Sequence, residues 1–320
     1  MDAFEVARMP FVKDLHIGFL EEAYFLLRKI VLNKGKKKPF IRVILSDRTG
    51  YLPGVYFGTE KELSTLQSSL KMGDIVKIAG TVEDFQGVRQ IKILKIEKSQ
   101  KEIDEVTRFA RRTHFNRREL LREVRERTEK ISDKKIKLVC EHFLEDRNFV
   151  RLFVEAPASR FSHYAYIGGL LEHTLRVMQL VDSFARIYPH ANRDLLLAGA
   201  FLHNVGKVDE YKTLLYDIDY SSQGRLKGHA LLGYDRVRPV ILSIGLDEVM
   251  ALKLEHILVS HQGRKEWGAI EEPRFLEAFL VHKADAIDAG QYLFSEPRRS
   301  ASDSPWSSWN PYLKTEIYLE

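Results

Sequence analysis

The sequence predicts a multidomain α+β protein in which an N-terminal β-barrel precedes an all-α helical bundle. Three observations predict it. Segments rich in β-branched and aromatic residues are confined to residues 21–97. A run of interleaved Arg and Glu follows them, and from about residue 138 apolar residues recur at helical spacing with no further strand signal. The chain has 320 residues, long enough for two cores. The expected boundaries are 1–100 for the barrel, 101–137 for a charged helical linker and 138–320 for the bundle.

Five strands are expected: Tyr24–Val31, Phe40–Leu45, Tyr51–Phe57, Ile75–Val82 and Val88–Ile96. Turn signals such as Asp47-Arg48-Thr49-Gly50 and Lys71-Met72-Gly73-Asp74 separate them. Between the third and fourth, Leu63, Leu66 and Leu70 recur at helical spacing behind Thr59, an N-cap residue. Three strands, a helix and two strands is the order of an OB-fold, a barrel that commonly holds single-stranded nucleic acid on its strand face and loops. The first loop carries Lys34, Lys36, Lys37 and Lys38 directly before Phe40. Phe40, Tyr51, Tyr56, Phe57 and Phe85 either stack on bases or fill the core; with the four lysines, Phe40 and Tyr56 are the chosen nucleic-acid contacts. Charge agrees with this placement. Residues 1–100 carry 17 Lys+Arg against 12 Asp+Glu while the remainder balance, so the whole net charge of +5 sits on the barrel segment.

In residues 101–137 Arg108, Arg111, Arg112, Arg117, Arg118, Arg122, Arg125 and Arg127 alternate with Glu119, Glu123, Glu126 and Glu129, which reads as a solvated connecting helix or a nucleic-acid contact. The next helix, Gly168–Ile187, places Leu170, His173, Val177, Leu180, Val181 and Phe184 on one stripe. Asn192 or Asp194 caps a helix running to Asn204, and helices at Leu246–Gln262 and Phe275–Phe294 follow. Ser295–Ser308 is a polar tail. No apolar run approaches the ~20 residues of a membrane span, and the first residues lack the order of a secretory signal, so a cytoplasmic protein with no membrane partner is expected. The lone Cys140 forms no intrachain disulfide and is expected to be a buried helix residue.

The chemistry concentrates around His203-Asn204-Val205-Gly206-Lys207, directly after the apolar run Leu195–Leu202. Among the histidines of the helical region are His173, His203, His229, His256, His261 and His282, several on apolar stripes. One such histidine is commonly a satisfied core residue. Several converging ones each need a polar partner once desolvated, and a bound metal between facing helices supplies it. Asp285 lies three residues after His282 and three before Asp288, so one helix face offers carboxylates to the same centre.

A family resemblance becomes clear at these residues. Leu171-Glu172-His173-Thr174-Leu175, Leu202-His203-Asn204-Val205-Gly206-Lys207, Gly228-His229, Ser260-His261-Gln262-Gly263 and His282-Lys283-Ala284-Asp285-Ala286-Ile287-Asp288 resemble, in order, the signature segments of HD-domain phosphohydrolases. With the barrel ahead of them, the arrangement is similar to the YhaM-type 3′-5′ exoribonuclease family. The resemblance implies His173, His203, residue 204 and Asp285 as ligands of one divalent metal, and His229 and His261 as ligands of a second. It implies that Lys207 faces a phosphate and acts with residue 204 in catalysis. His256, Gln262, His282 and Asp288 are further ligands or supports of ligands. Histidine and carboxylate donors suit one or two ions of Mn²⁺, Co²⁺ or Fe²⁺, with Mn²⁺ preferred.

The implied activity is metal-dependent 3′-5′ hydrolysis of single-stranded RNA, with single-stranded DNA as a second substrate and self-association of the chain as a further implication. Between Lys207 and His229 the spacing suits a hairpin or lid, whose Tyr216, Arg225 and Lys227 either contact the incoming strand or decorate a surface. Two positions depart from the family pattern. Asn204 stands where the family has Asp, and Gln262 where many members have His. An amide offers one neutral carbonyl in place of an anionic carboxylate, so reduced or abolished activity is expected. The alternatives are a catalytically silent single-stranded nucleic-acid-binding protein and an HD phosphohydrolase of small nucleotides.

Overall fold

The computed structural model describes residues 9–33, 38–85, 88–99, 108–160, 162–214, 217–295, 305–307, 309–310 and 313–319. The chain divides into two compact units, 1–111 with 299–308 and 318–320, and 112–298 with 309–317.

In the first unit β1 (Gly18–Asn33), β2 (Phe40–Asp47), β3 (Gly50–Phe57), β4 (Ile75–Phe85) and β5 (Val88–Lys98) close a barrel in the order β1-β2-β3-β5-β4. The alternation in β2 is typical of the barrel: Ile41, Val43 and Leu45 are buried, while Arg42 points outward. β1 is long enough to pair with both β2 and β4, and its register shifts at Leu20/Ala23 and Leu27/Lys29 bend it between them. A parallel pairing of Gly54–Tyr56 with Ile91–Ile93 completes the closure, which is the OB-fold topology. Every expected strand is present, and each extends beyond its expected limits, β1 at both ends and the others at one. β1 in particular begins at Gly18, because pairing with β4 resumes beyond the irregularity at Glu21 and Glu22 and joins Gly18–Leu20 to Gly80–Val82. Helix α1 (Glu60–Ser69) starts at Thr59 with a reciprocal capping box to Glu62 and buries Leu63 against the barrel core. Val12 and Leu15 join that core, where the Val12 N–H donates to the buried Asp47 carboxylate at 2.6 Å.

The second unit is helical. Its elements are α2 (Arg117–Glu129), α3 (Lys134–Glu145), α4 (Arg147–Phe153), α5 (Gly169–Ile187), α6 (Arg193–Leu202), the short α7 (Lys207–Glu210), the hairpin β6 (Tyr211–Leu214) and β7 (Asp217–Tyr220), α8 (Ser222–Ile244), α9 (Glu248–Ser260) and α10 (Leu276–Ser295). The charged stretch is interrupted: α2 ends at Glu129, and Asp133 caps α3 by accepting from the Lys135 and Ile136 N–H groups. α2 also does more than connect. Leu120 and Val124 are buried in the bundle core while Arg122 pairs outward with Glu119 and Glu126. Of the two candidate caps for α6, Asn192 accepts from Leu195 N–H at 3.0 Å, whereas Asp194 accepts from Ser132 and Asp133 N–H groups. Cys140 is fully buried in α3. The 23-residue α8 carries Gly224, Gly228, Gly233 and Pro239, and Gly228 at φ 70° kinks it. No described helix is long and apolar enough to cross a membrane.

Candidate metal centre and its cavity

The apolar run Leu195–Leu202 is buried along its whole length as the core helix α6, and this carries its last turn, with His203 and Asn204, into the middle of the bundle. His173 projects from the buried stripe of α5, His261 stands at the end of α9, and His229 follows the kink at Gly228. Asp285 and Asp288 come from one face of α10.

Each of the four histidines has its ring turned by a partner at Nδ1. His203 Nδ1 lies 2.8 Å from the Ala200 carbonyl, His261 Nδ1 2.9 Å from the Leu258 carbonyl, His173 Nδ1 2.7 Å from Asp288 Oδ2 and His229 Nδ1 3.3 Å from Glu210 Oε1. Carbonyl and carboxylate oxygens only accept, so every Nδ1 carries a proton and donates it. The four Nε2 atoms therefore face inward. His173 and His203 Nε2 are 3.3 Å apart, His229 and His261 Nε2 are 3.2 Å apart, and the His203 and His261 rings lie 5.3 Å apart between the two pairs. Unshared electron pairs held this close need a cation or a donor between them. His173, His203 and Asp285 in particular offer ligand atoms that all lie within 4.8 Å of one another, which fits one divalent ion.

The electrostatics follow from burial. His203 is held far below the usual imidazole range and His261 is lowered to about 3, both chiefly by desolvation, so both are neutral ligands in waiting. Burial also works against a charged His173, but hydrogen bonds to Asp285 and Asp288 outweigh it and raise that pKa. Asp285 is desolvated too, yet His173 and the surrounding imidazoles hold it well below the carboxylate range. It is the anion of the centre.

Two amides occupy the positions where the pattern departs from the family. Asn204 Nδ2 lies 2.7 Å from His203 Nε2 and 3.2 Å from His173 Nε2, so both of its N–H bonds are directed at ring nitrogens. Its Oδ1 is buried without a hydrogen-bond partner. Gln262 Nε2 lies 2.9 Å from His229 Nε2 in the same way. Rotating the Asn204 side-chain amide by about 180° would bring its carbonyl oxygen to the ring nitrogens as a neutral ligand.

Lys207 begins α7 and is buried; its Nζ donates to the Ala158 carbonyl at 2.6 Å, and desolvation lowers its pKa against the pull of Asp285 and Glu210. Gly206 before it is required by packing: a Cβ there would lie 2.1 Å from the His229 carbonyl oxygen and 2.4 Å from the Gly233 nitrogen. The turn presses directly on α8, and that contact brings His229 to the centre. A cavity of about 450 Å³ adjoins Lys207, His229 and Gln262, with Arg160, His163, Tyr220, Lys227 and Trp267 also on its walls.

Other expected residues are placed elsewhere or act at one remove. Asp288 does not face the Nε2 cluster, since Oδ2 holds His173 and Oδ1 accepts from Tyr164 Oη at 2.9 Å. His282 Nδ1 donates to the His261 carbonyl at 2.8 Å and so supports that turn. His256 is not brought to the centre: it lies five residues before His261, which turns an α-helix by about 140°, and its Nε2 accepts from Arg274 N–H beside Phe275. Lys227 lines the cavity and pairs with Asp235, and Arg225 makes a forked pair with Asp219 on the hairpin. Tyr216, Lys34, Lys36 and Lys37 lie outside the described residues, and Lys38 is exposed. On the barrel Tyr56 packs against the core, while its neighbour Phe57 is exposed and stands 5.6 Å from the Phe40 ring. Arg42 lies over Phe40, and Arg28 bonds the exposed Tyr51 hydroxyl. Sequence reasoning missed Glu210 and Tyr164. The carboxylate one turn after Lys207 was a readable signal for the first, and nothing local marks the second.

Residues 170–290 match the HD domain family, and residues 26–99 match the OB-fold nucleic acid binding domain family. The chain is 30% identical to 3′-5′ exoribonuclease YhaM of Halalkalibacterium halodurans over 278 residues, 85% of this chain and 84% of that protein. It is 26% identical to the protein of that name from Listeria monocytogenes, over 86% of this chain and 87% of the relative. The Shouchella clausii protein is 28% identical over 87% of this chain and 86% of the relative. Among solved structures, a small single-stranded DNA-binding protein from Streptomyces coelicolor aligns with 27% of this chain and 96% of its own, at 14% identity and a TM-score of 0.23.

Proposed function

We propose, since this chain belongs to the YhaM 3′-5′ exoribonuclease family, that it removes nucleotides from the 3′ end of single-stranded RNA, and that Asn204 slows the reaction. It is by family a metal-dependent 3′-5′ exonuclease acting on nucleic acid, with an OB-fold module for single strands. The observation that carries the reading is the convergence of four Nε2 atoms, each fixed by a donor bond at Nδ1, on the side of the bundle that holds Asp285 and Lys207.

His173, His203 and Asp285 would hold one divalent ion, and His229 with His261 a second, with residue 204 adjoining the first pair. When bound, such ions supply a water that ionises near neutral pH and positive charge for the phosphate oxygens. Nitrogen and carboxylate donors of this kind suit Mn²⁺, Co²⁺ or Fe²⁺ without dictating which, and Mn²⁺ is the ion proposed. The chain's own residues do the rest. Asp288 and Tyr164 hold the His173 ring, Glu210 holds His229, and Lys207 offers its ammonium to a phosphate entering the cavity. The barrel retains the strand through Phe40, Phe57, Tyr51 and the basic loop. In this reading the barrel unit binds the strand, and the helical unit, α2 included, cuts it.

A second reading, a silent single-strand binder, is favoured by the Asn204 and Gln262 amides, which direct N–H bonds at the ring nitrogens. Single-stranded RNA labelled at its 5′ end separates the two when it is incubated with Mn²⁺ and this chain, Asn204 in place. A ladder of successively shorter labelled products is expected. Intact RNA that remains bound would support the silent binder and overturn the exonuclease reading.

A further inference from the structure

The cavity beside the metal centre has a wall that hydrolysis alone does not explain. Trp267 lines it and remains 59% exposed. What sets this exposed aromatic apart is that it borders a polar cavity, where its ring has a face to offer a ligand. The turn that carries it is held in place. The Trp267 backbone N–H donates to the Arg264 carbonyl at 3.0 Å, the Ala269 backbone N–H donates to the same carbonyl at 3.1 Å, and the Ile270 backbone N–H ties the turn back to Val259. Gly268 at φ 102° makes the turn, and the Arg264 guanidinium sits 5.3 Å from the ring centroid. An indole on a fixed turn, with the Arg264 guanidinium beside it and more than half of its surface in water, offers a stacking surface.

The rest of the cavity is complementary to one nucleotide. Its volume of about 450 Å³ falls within the usual range for small-ligand pockets. Lys207 lies at the side nearest the histidines, and Arg160 and Tyr220 form a cationic and aromatic wall with the guanidinium 5.5 Å over the ring. Phosphate-binding groups and an aromatic platform bordering one space make a nucleotide subsite.

We propose that Trp267 stacks on the base of the 3′-terminal nucleotide, and that the cavity admits one nucleotide at a time with its phosphate toward Lys207. This rests on the exonuclease reading. Stacking on an indole suits any base, so the subsite recognises a free, unpaired 3′ end and is tolerant of sequence.

The test uses the full chain and an RNA carrying 2-aminopurine at its 3′ end, with a phosphorothioate at the last linkage to slow hydrolysis and a 5′ fluorophore to report binding by anisotropy. Stacking on Trp267 quenches the 2-aminopurine; Trp267→Ala loses that quenching, Trp267→Phe keeps most of it, and a probe with 2-aminopurine at the 5′ end responds in none of them. The terminal contact is expected to weaken roughly tenfold in Trp267→Ala, while overall RNA binding through the barrel persists. Equal 3′ quenching in the native and Trp267→Ala proteins overturns the stacking and leaves the exonuclease reading intact. RNA that fails to bind the native chain at all overturns both.

Discussion

Asn204 Nδ2 lies 2.7 Å from His203 Nε2, closer than any other polar atom described around that nitrogen. The amide thereby gives a proton to the very electron pair that a metal ligand needs free. Its own carbonyl oxygen, the atom with something to offer a cation, is buried without a partner. The two halves of the amide are arranged for a different task from that of a carboxylate.

Asp288 is expected to act through His173. It accepts from Nδ1 at 2.7 Å and is itself held by Tyr164, so Asp288→Asn loses the charge that orients the ring. Mn²⁺ affinity should fall about tenfold to a hundredfold with the helical content unchanged. Calorimetric titration with Mn²⁺ measures it, and an unaltered affinity would remove Asp288 from the metal centre's support.

Metal binding should register as stability. Mn²⁺ at about one hundred times its Kd adds about 2.7 kcal/mol, which for a domain of this size raises Tm by about 5 °C or more. Asp285→Asn removes the one anion of the His173, His203 and Asp285 group and should abolish the rise. Differential scanning fluorimetry with and without Mn²⁺ reads both proteins.

The two neighbouring aromatics of β3 should separate binding from folding. Phe57 is exposed beside Phe40, so Phe57→Ala should weaken single-stranded RNA binding about fivefold or more without lowering Tm. Tyr56 packs against the barrel core, so Tyr56→Ala should lower Tm first. Anisotropy and thermal melts of both variants check the pair.

Cys140 should be inert. Burial pushes its thiol far above the ordinary range, so the native protein offers almost no thiolate at pH 8. Iodoacetamide should label it only after denaturation, and rapid labelling of the folded chain would contradict its place in the core.

The barrel was legible because its strands alternate cleanly, as Ile41, Val43 and Leu45 do, and because Thr59 and Glu62 spell a capping box. Residue type alone made legible only that several buried imidazoles need polar partners; the choice of His173, His203, Asp285, His229 and His261 as ligands comes from the resemblance to HD-domain phosphohydrolases. What escaped was decided by tertiary contact. Helix α8 was hidden by three glycines and a proline, each of which argues locally against a helix, although Gly228 is there to kink it and bring His229 to His261. Glu210 and Tyr164 act on histidines 19 residues away and, through Asp288, on an element distant in sequence, so no local period marks them. His256 and Tyr56 show the limit of residue type alone: His256 accepts from the Arg274 N–H away from the other histidines, and Tyr56 packs against the barrel core, placements set by helix and strand phase.

The account turns on residue 204, and turnover of labelled single-stranded RNA at saturating Mn²⁺ by this chain and by Asn204→Asp tests it most directly. Introducing the carboxylate should speed nucleotide release by about a hundredfold, the upper end of what is lost when a support of a metal ligand is changed. Equal rates in the two proteins would contradict it.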